Sequence, residues 1–467
     1  MQEILERIRD EGVRKGCSFV EVRAVERDST SIVLQDGNAD KLFRSSSTGL
    51  GVRVLAEGSW GFASGNGVSR EQGMELLDAA LAAARASRAG RRDDAAVVEI
   101  PPVTDHAATV CRIHPASVPL SRKMEALAAL DRAGMACGEG RIVNRVLSYG
   151  DGWQRETVVN SFGTSVVSEF VRTSATCTFF ASDGQIRQSA YRRRAAQAGW
   201  ELIEELEPAE FSEAAARRAV SLLSARKAPS GKFPVVFDPS ITGLLTHEAL
   251  GHNAEADHVV AGTSILEGKL GDTVASPLVT IIDDATLPGS WGSYAYDSEG
   301  VPGRRRVLIE NGVLVGLMHS LETAARMGAE PNGSGRAQDY GYRPLVRMSN
   351  TFIQPGTTPL EDILKDIPLG VYLTGGQWGY VLCERGQFTC HAGGGWMIRN
   401  GELAEEIRDV SVAGITLETL ANIDAVSDAF EMSMPGMCGK CGQGMPVNAG
   451  GPHVRVRELV VGGQERA

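Results

Sequence analysis

His247, Glu248 and His252 fall within one short stretch, HEALGH, and together offer two imidazoles and a carboxylate. Imidazoles bind transition metals, and a carboxylate beside them can take a proton from water and return it to a leaving group. In the H-E-x-x-H helix the histidines are four residues apart and share one face, about 40° apart at 3.6 residues per turn. Here the spacing is five, and a regular α-helix would turn them about 140° from one another. Two local structures remove the conflict. A π-type turn, with its i→i+5 bond, swings His252 back toward His247. A helix that ends at Gly251 releases His252 into the following turn. Either way, the spacing predicts a disturbed helix at or near Gly251.

Two histidines do not complete a catalytic metal site, which takes three protein ligands and one open position. Glu255, Asp257 and His258 are candidates for the third ligand, or for partners that fix the imidazole tautomers. Cys438 is the distant candidate, in the glycine-rich PGMCGKCGQGMP at 435–446. A thiolate suits zinc, and small neighbours leave room for close approach to an ion. CGKC also fits two rival readings. As a C-x-x-C opening a helix it would make the chain a thiol oxidoreductase cycling Cys438 and Cys441. Joined to Cys383 and Cys390, it would be half of a structural zinc site. The surrounding glycines and proline argue against a helix, and the C-x6-C spacing of Cys383 and Cys390 is wide for a zinc knuckle.

The elements that must position these groups follow from patterning. Val20, Val22 and Ala24 alternate with Glu21, Arg23 and Val25, the period of a half-buried strand. Asp36-Gly37, Glu57-Gly58, Asn311-Gly312 and Asn400-Gly401 sit between apolar runs and predict hairpin turns. Helices are expected over 69–90, with Ser69 as N-cap, and over about 121–136 and 209–225. Strands and helices mix without strict βαβ order, so the fold class is α+β. APSGK at 228–232 is the linker candidate. It divides an N-terminal α+β domain, 1–227, from a β-rich C-terminal domain, 228–467. The latter opens with FPVVFDPS, whose Asp238-Pro239 starts the helix carrying HEALGH.

At 467 residues, 43% hydrophobic and 22% charged, the chain has globular composition. Its net charge of −11 and lack of a long basic stripe exclude a nucleic-acid footprint. Arg192–Arg194 and Arg304–Arg306 are short clusters that read as solvated strand or loop ends. The N-terminus is a charged amphipathic helix without the apolar core of a secretory signal. No apolar run approaches the roughly 20 residues a membrane span needs. Eight cysteines without a signal peptide favour reduced thiols, and the expected location is cytoplasmic.

HEALGHNAEAD together with the remote MCGKCGQGMPV resembles the TldD/PmbA family of metallopeptidases, in particular its TldD-type subunit. GLGVRVLAEGSWGFAS (49–64), YDSEGVPGRRRVLIENGVL (296–314), RPLVRMSNTFIQPG (343–356) and GITLETLANIDAVSD (414–428) extend the likeness along the chain. The resemblance implies zinc held by His247, His252 and Cys438, with Glu248 as the general base that activates a zinc-bound water. It implies unfolded or short peptides as substrates, bound extended in a cleft between subunits beside Gly375, Gly376 and Gln377. It also implies a dimer, formed with a metal-less PmbA/TldE-type partner or with a second copy. Cys441 stands where the resemblance leads one to expect an acidic residue. The expectation is therefore a cytoplasmic zinc peptidase. The alternative is a non-catalytic peptide-binding or regulatory assembly protein whose zinc is structural, closed by a fourth ligand such as Cys441.

Overall fold

A computed structural model describes residues 1–90 and 93–463. All four expected turn dipeptides are hairpin turns in it, with positive φ at both residues of each. Paired left-handed residues twist in the sense that suits the strands they join. Asp36-Gly37 thereby connects Phe19–Gln35 to Asn38–Ala56, and Asn400-Gly401 connects Gln387–Arg399 to Glu402–Arg408.

The first sheet has seven strands. Its order is Ser59–Asn66, Asn38–Ala56, Phe19–Gln35, Ile142–Asn160, Ser165–Ser182 and Thr104–Ala108, with Arg187–Ala196 also paired to Ser165–Ser182. Strands of 17 to 19 residues are about 55–65 Å long, more than one core can cover. Two cores therefore form. Helices Gln2–Arg14 and Arg70–Arg88 pack over one, around Leu50, Val52 and Leu77. Leu120–Ala136 and Ala214–Ser224 pack over the other, around Leu147, Phe179 and Leu223. The Ser69 hydroxyl caps the second helix by accepting from the Gln72 amide at 3.2 Å. The expected 209–225 helix opens as a π-turn over Ala209–Glu213.

In the remaining chain, five strands close on themselves. Leu369–Leu382 pairs with Gly231–Phe237, then Val454–Gly463, Val410–Ile415 and Gln387–Arg399, which returns to Leu369–Leu382. A six-stranded sheet beside this ring contains Ile281–Asp284, Asn350–Ile353, Gln443–Gly450 and Gly436–Lys440. The helix starting at Pro239 is packed among them, with Ile241, Leu245 and Leu250 in the shared core. Ala228 is buried and its amide donates to the Arg408 carbonyl, so the APSGK segment is tied into this half. Mixed helix and strand agrees with the α+β expectation. Among the described residues, no helix is long and apolar enough to cross a membrane.

One patterning expectation changes. The strand over Val20–Val25 is buried on both faces, and Glu21 and Arg23 are each 1% exposed. The reason is that the second half of the chain covers the polar face. Arg53 donates to Glu21 at 2.8 Å and to Glu299 at 2.7 Å. Arg23 pairs with Glu156 at 3.3 Å and donates to the backbone carbonyls of Asp339 and Tyr342. Charge alternation marked a solvated face only because its partners lie far away in sequence. Arg53→Met leaves Glu21 and Glu299 buried without their shared cation. It is expected to cost about 3–5 kcal/mol, seen as a lower midpoint in denaturant unfolding.

Candidate metal centre

Asp238 starts the helix as its N-cap, accepting from the Ile241 amide at 2.9 Å, with Pro239 in the first turn. Regular α-helix runs from Pro239 to Leu245 and then widens into a π-helical turn over Thr246–Gly251. The bond that defines the widening runs from the His252 amide to the His247 carbonyl, at 3.3 Å. The extra residue is thereby absorbed, and the two imidazoles meet edge to face with ring centres 5.1 Å apart. Of the two routes the spacing allowed, this is the π-type turn. Gly251 keeps a negative φ; its lack of a side chain serves packing instead. A Cβ there would lie 2.1 Å from the Met348 sulfur.

Cys438 comes from the other side, on the strand Gly436–Lys440. Arg347, itself fully buried, donates to the carbonyls of Cys438 and Gln443 and so staples that hairpin in place. The Cys438 sulfur lies 3.5 Å from His252 Nε2, and the donor atoms of His247, His252 and Cys438 all lie within 4.8 Å of one another. A tetrahedral zinc with ordinary Zn–S and Zn–N bonds sets sulfur and nitrogen about 3.6 Å apart. Among the described residues, His247 Nδ1 is buried and has no hydrogen-bond partner. Burial alone would push the Cys438 thiol up, but His247 and His252 override it and bring it down to about 4. A thiolate, two imidazoles, a matching edge length and an orphaned ring nitrogen fit zinc.

Glu255, Asp257 and His258 form a second group of close donor atoms, but a lysine occupies it. Lys440 Nζ donates to Glu255 at 3.1 Å and to Asp257 at 2.7 Å. The same Glu255 oxygen lies 3.1 Å from His252 Nδ1. Glu255 thus stands behind His252, where it fixes which ring nitrogen faces Cys438. Although burial opposes it, Lys440 and His252 hold the Glu255 carboxyl down at about 2. The sequence had offered Glu255 as a partner that fixes an imidazole tautomer, and it takes that part at His252. Nothing in the sequence marked Lys440.

Glu248 has the opposite environment. Among the described residues its carboxylate has no hydrogen-bond or ion-pair partner. It lies against the strand Leu369–Leu382 at Gly379, where an added Cβ would be 2.7 Å from Glu248 Cγ. Cys441 is exposed and occupies a hairpin turn with φ 49°, beside Gly442 at φ 76°. The CGKC run is therefore strand and turn, with Cys438 inward and Cys441 outward. Cys383 and Cys390 are also free thiols outside the three-residue group.

Gly375, Gly376 and Gln377 are placed one helix length away, beside the start of the same helix. The Gly375 amide donates to Asp238 at 3.1 Å and the Gly376 amide to the Ser240 hydroxyl at 2.8 Å. With Gln377 they line a cavity of about 600 Å³.

Three family models match the chain: PmbA/TldA metallopeptidase domain 1 at residues 20–87, the central domain at 113–223 and the C-terminal domain at 230–463. The chain is 40% identical over 445 residues to a metalloprotease of Methanothermobacter thermautotrophicus, covering 95% of each. It is 35% identical over 250 residues to a zinc metalloprotease TldD homolog of Saccharolobus solfataricus, covering 53% of this chain and 55% of that one. Its fold is shared with a putative modulator of DNA gyrase from Thermotoga maritima, with TM-score 0.81, 24% identity and 99% and 100% coverage. It is also shared with TldE from Thermococcus kodakarensis, with TM-score 0.75, 21% identity and 98% and 100% coverage. The fold and the matched sequence define a metallopeptidase-family protein. The chain belongs to the PmbA/TldD family.

Two measurements bear on Glu255. Glu255→Gln is expected to weaken zinc binding about 10- to 100-fold in a chelator competition while circular dichroism stays unchanged. Because the folded carboxyl titrates below its ordinary 4.5, the stability it lends is complete above that pH and drains away as pH falls toward about 2. In metal-free protein the stability gap between wild type and Glu255→Gln should therefore close over that interval.

Proposed function

We propose that this chain is a zinc-dependent peptidase acting on unfolded or short peptides, with His247, His252 and Cys438 as ligands and Glu248 as the base that activates water. The observation that carries it is the contrast between two carboxylates seven residues apart in sequence. Glu255 has one carboxylate oxygen shared between His252 and Lys440, whereas among the described residues Glu248 has no hydrogen-bond or ion-pair partner. A ligand support needs the first condition and a proton carrier needs the second.

Zinc held there supplies a Lewis acid and a water that ionises near neutral pH. Glu248 accepts the proton from water and passes it to the departing amine. Glu255 and Lys440 hold the His252 ring against rotation. The strand Leu369–Leu382 pairs with Gln387–Arg399 along one edge and with Gly231–Phe237 through Val371–Leu373 along the other, and among the described residues that second edge has no strand partner beyond Gly376. That edge passes Glu248 at Gly379, and an extended peptide can add to it as a further strand. Gly375 and Gly376 have already used their amides on Asp238 and Ser240, so with Gln377 they shape the cleft wall.

Trp378, Tyr380 and Leu382 are 55%, 59% and 41% exposed on the opposite face of that strand from Glu248. Such a row supports a dimer, with a metal-less PmbA/TldE-type partner or with a second copy. The eight free thiols support a reducing, cytoplasmic setting. A structural zinc would need a fourth protein donor, and the outward position of Cys441 speaks against that alternative.

Glu248→Gln should keep its zinc and lose peptide hydrolysis by about 10²–10⁴-fold, whereas Cys438→Ala should lose the metal and the activity together. Metal content and cleavage of an unstructured peptide measure both. Wild-type cleavage by zinc-loaded Glu248→Gln would refute the assignment of the base.

A further inference from the structure

The cavity beside Gly375–Gln377 has a charge that the rest of the protein does not. The chain carries −11 overall, yet this cavity is lined by Arg192, Arg193, Arg194 and Arg218, with only Asp238 and Glu431 as acids. Asp238 is spent. Its carboxylate accepts from the Ile241 amide, the Ser240 hydroxyl and the Gly375 amide, at 2.9, 2.7 and 3.1 Å. Glu431 is exposed at the rim. None of Arg192, Arg193 and Arg194 has an ion-pair partner among the described residues.

Their position is fixed from the strand Arg187–Ala196. The Tyr191 hydroxyl donates to the Gly376 carbonyl at 2.6 Å, which turns that face of the strand toward the cavity. Arg193, two residues on, shares that face, while Arg192 and Arg194 alternate to the other, so Arg193 and Arg218 are the guanidinium groups on which the cavity's charge rests. Deeper in, Arg218 lies over the Trp396 ring at 4.6 Å and pairs with Glu406 through Nη1. Among the described residues its Nη2 is buried with no hydrogen-bond partner, and so is the hydroxyl oxygen of Ser433 on the same wall. Unsatisfied buried donors are costly, and here they border a space large enough for a ligand. The cavity therefore has donors to spare and little acceptor capacity left.

Two rulers set its distance from the metal centre. Ser240 meets Gly376 at the cavity end, and Glu248 meets Gly379 at the other. Eight helical residues rise about 12 Å, and three strand residues about 10 Å. An extended peptide covers that span in about three residues. We infer that this cavity is a carboxylate-binding subsite of the peptide cleft, taking an acidic group about three residues from the bond that is cleaved. The inference rests on the peptidase reading above for its substrate and on the cavity alone for its chemistry. The carboxylate comes either from the peptide's own C-terminus or from an Asp or Glu side chain.

The test is binding, kept apart from turnover by using zinc-loaded, full-length Glu248→Gln protein. Three kinds of fluorescein-labelled eight-residue peptide built on one neutral sequence are compared by anisotropy: the free acid, its C-terminal amide, and a series of amides with a single Glu walked along the chain. Tighter binding of the acid than the amide, by about tenfold, identifies a terminal carboxylate. Recovery of the same factor by Glu at one position identifies a side chain. In either case Arg193→Ala, at an exposed site that folding does not need, should remove the advantage and leave the plain amide within about twofold. Equal binding of all three kinds of peptide, an advantage that survives Arg193→Ala, or no peptide binding at all would overturn the subsite. Failure of the wild type to cleave peptides that bind with this preference would instead overturn the peptidase reading and leave the subsite standing.

Discussion

One backbone hydrogen bond, from the His252 amide to the His247 carbonyl, sets the terms for the rest of the site. Widening a helix by one residue gives poorer hydrogen-bond geometry than an α-turn, so it persists only where its surroundings enforce it. Here the turn is buried almost throughout, with Met348 seated against Gly251 and the ring strand Leu369–Leu382 along one side. The Thr246 hydroxyl also donates to the Thr242 carbonyl at 2.7 Å, just where the helix changes gauge. Without that bond the two imidazoles diverge and Cys438 faces one of them alone.

Around this turn the protein separates acids by commitment. Burial would make Glu255 expensive as an anion, and the neighbouring Lys440 and His252 offset that cost. Glu248, seven residues earlier, is left without a hydrogen-bond or ion-pair partner among the described residues. Equal residue types therefore take unequal parts, and the difference comes from what surrounds each. Arg347 follows the same logic: a buried cation aligned with Glu255 at 4.0 Å and with the hairpin carbonyls, holding strand and helix in register.

Local features were legible in the sequence. Asp36-Gly37 and Asn400-Gly401 declared their turns because few other residues accept two positive φ values in a row. Ser69 and Asp238 declared helix starts through their side-chain caps. The spacing within HEALGH even declared a distortion. What stayed hidden depends on groups far apart in the chain. Arg23 and Glu21 looked solvated until residues 297–342 covered them. Arg192–Arg194 looked like a strand end until the glycine strand made them a cavity wall. Lys440 gave no sign that it would fill the acidic cluster after His252, since that contact bridges 185 residues.

The same long reach has a consequence in time. Cys438 and His252 are separated by 186 residues. At about 5–20 residues per second, a ribosome needs roughly ten to forty seconds to make that interval. During that interval the growing chain carries both histidines without Cys438, so the three donor groups can come together only after residue 438 has been made.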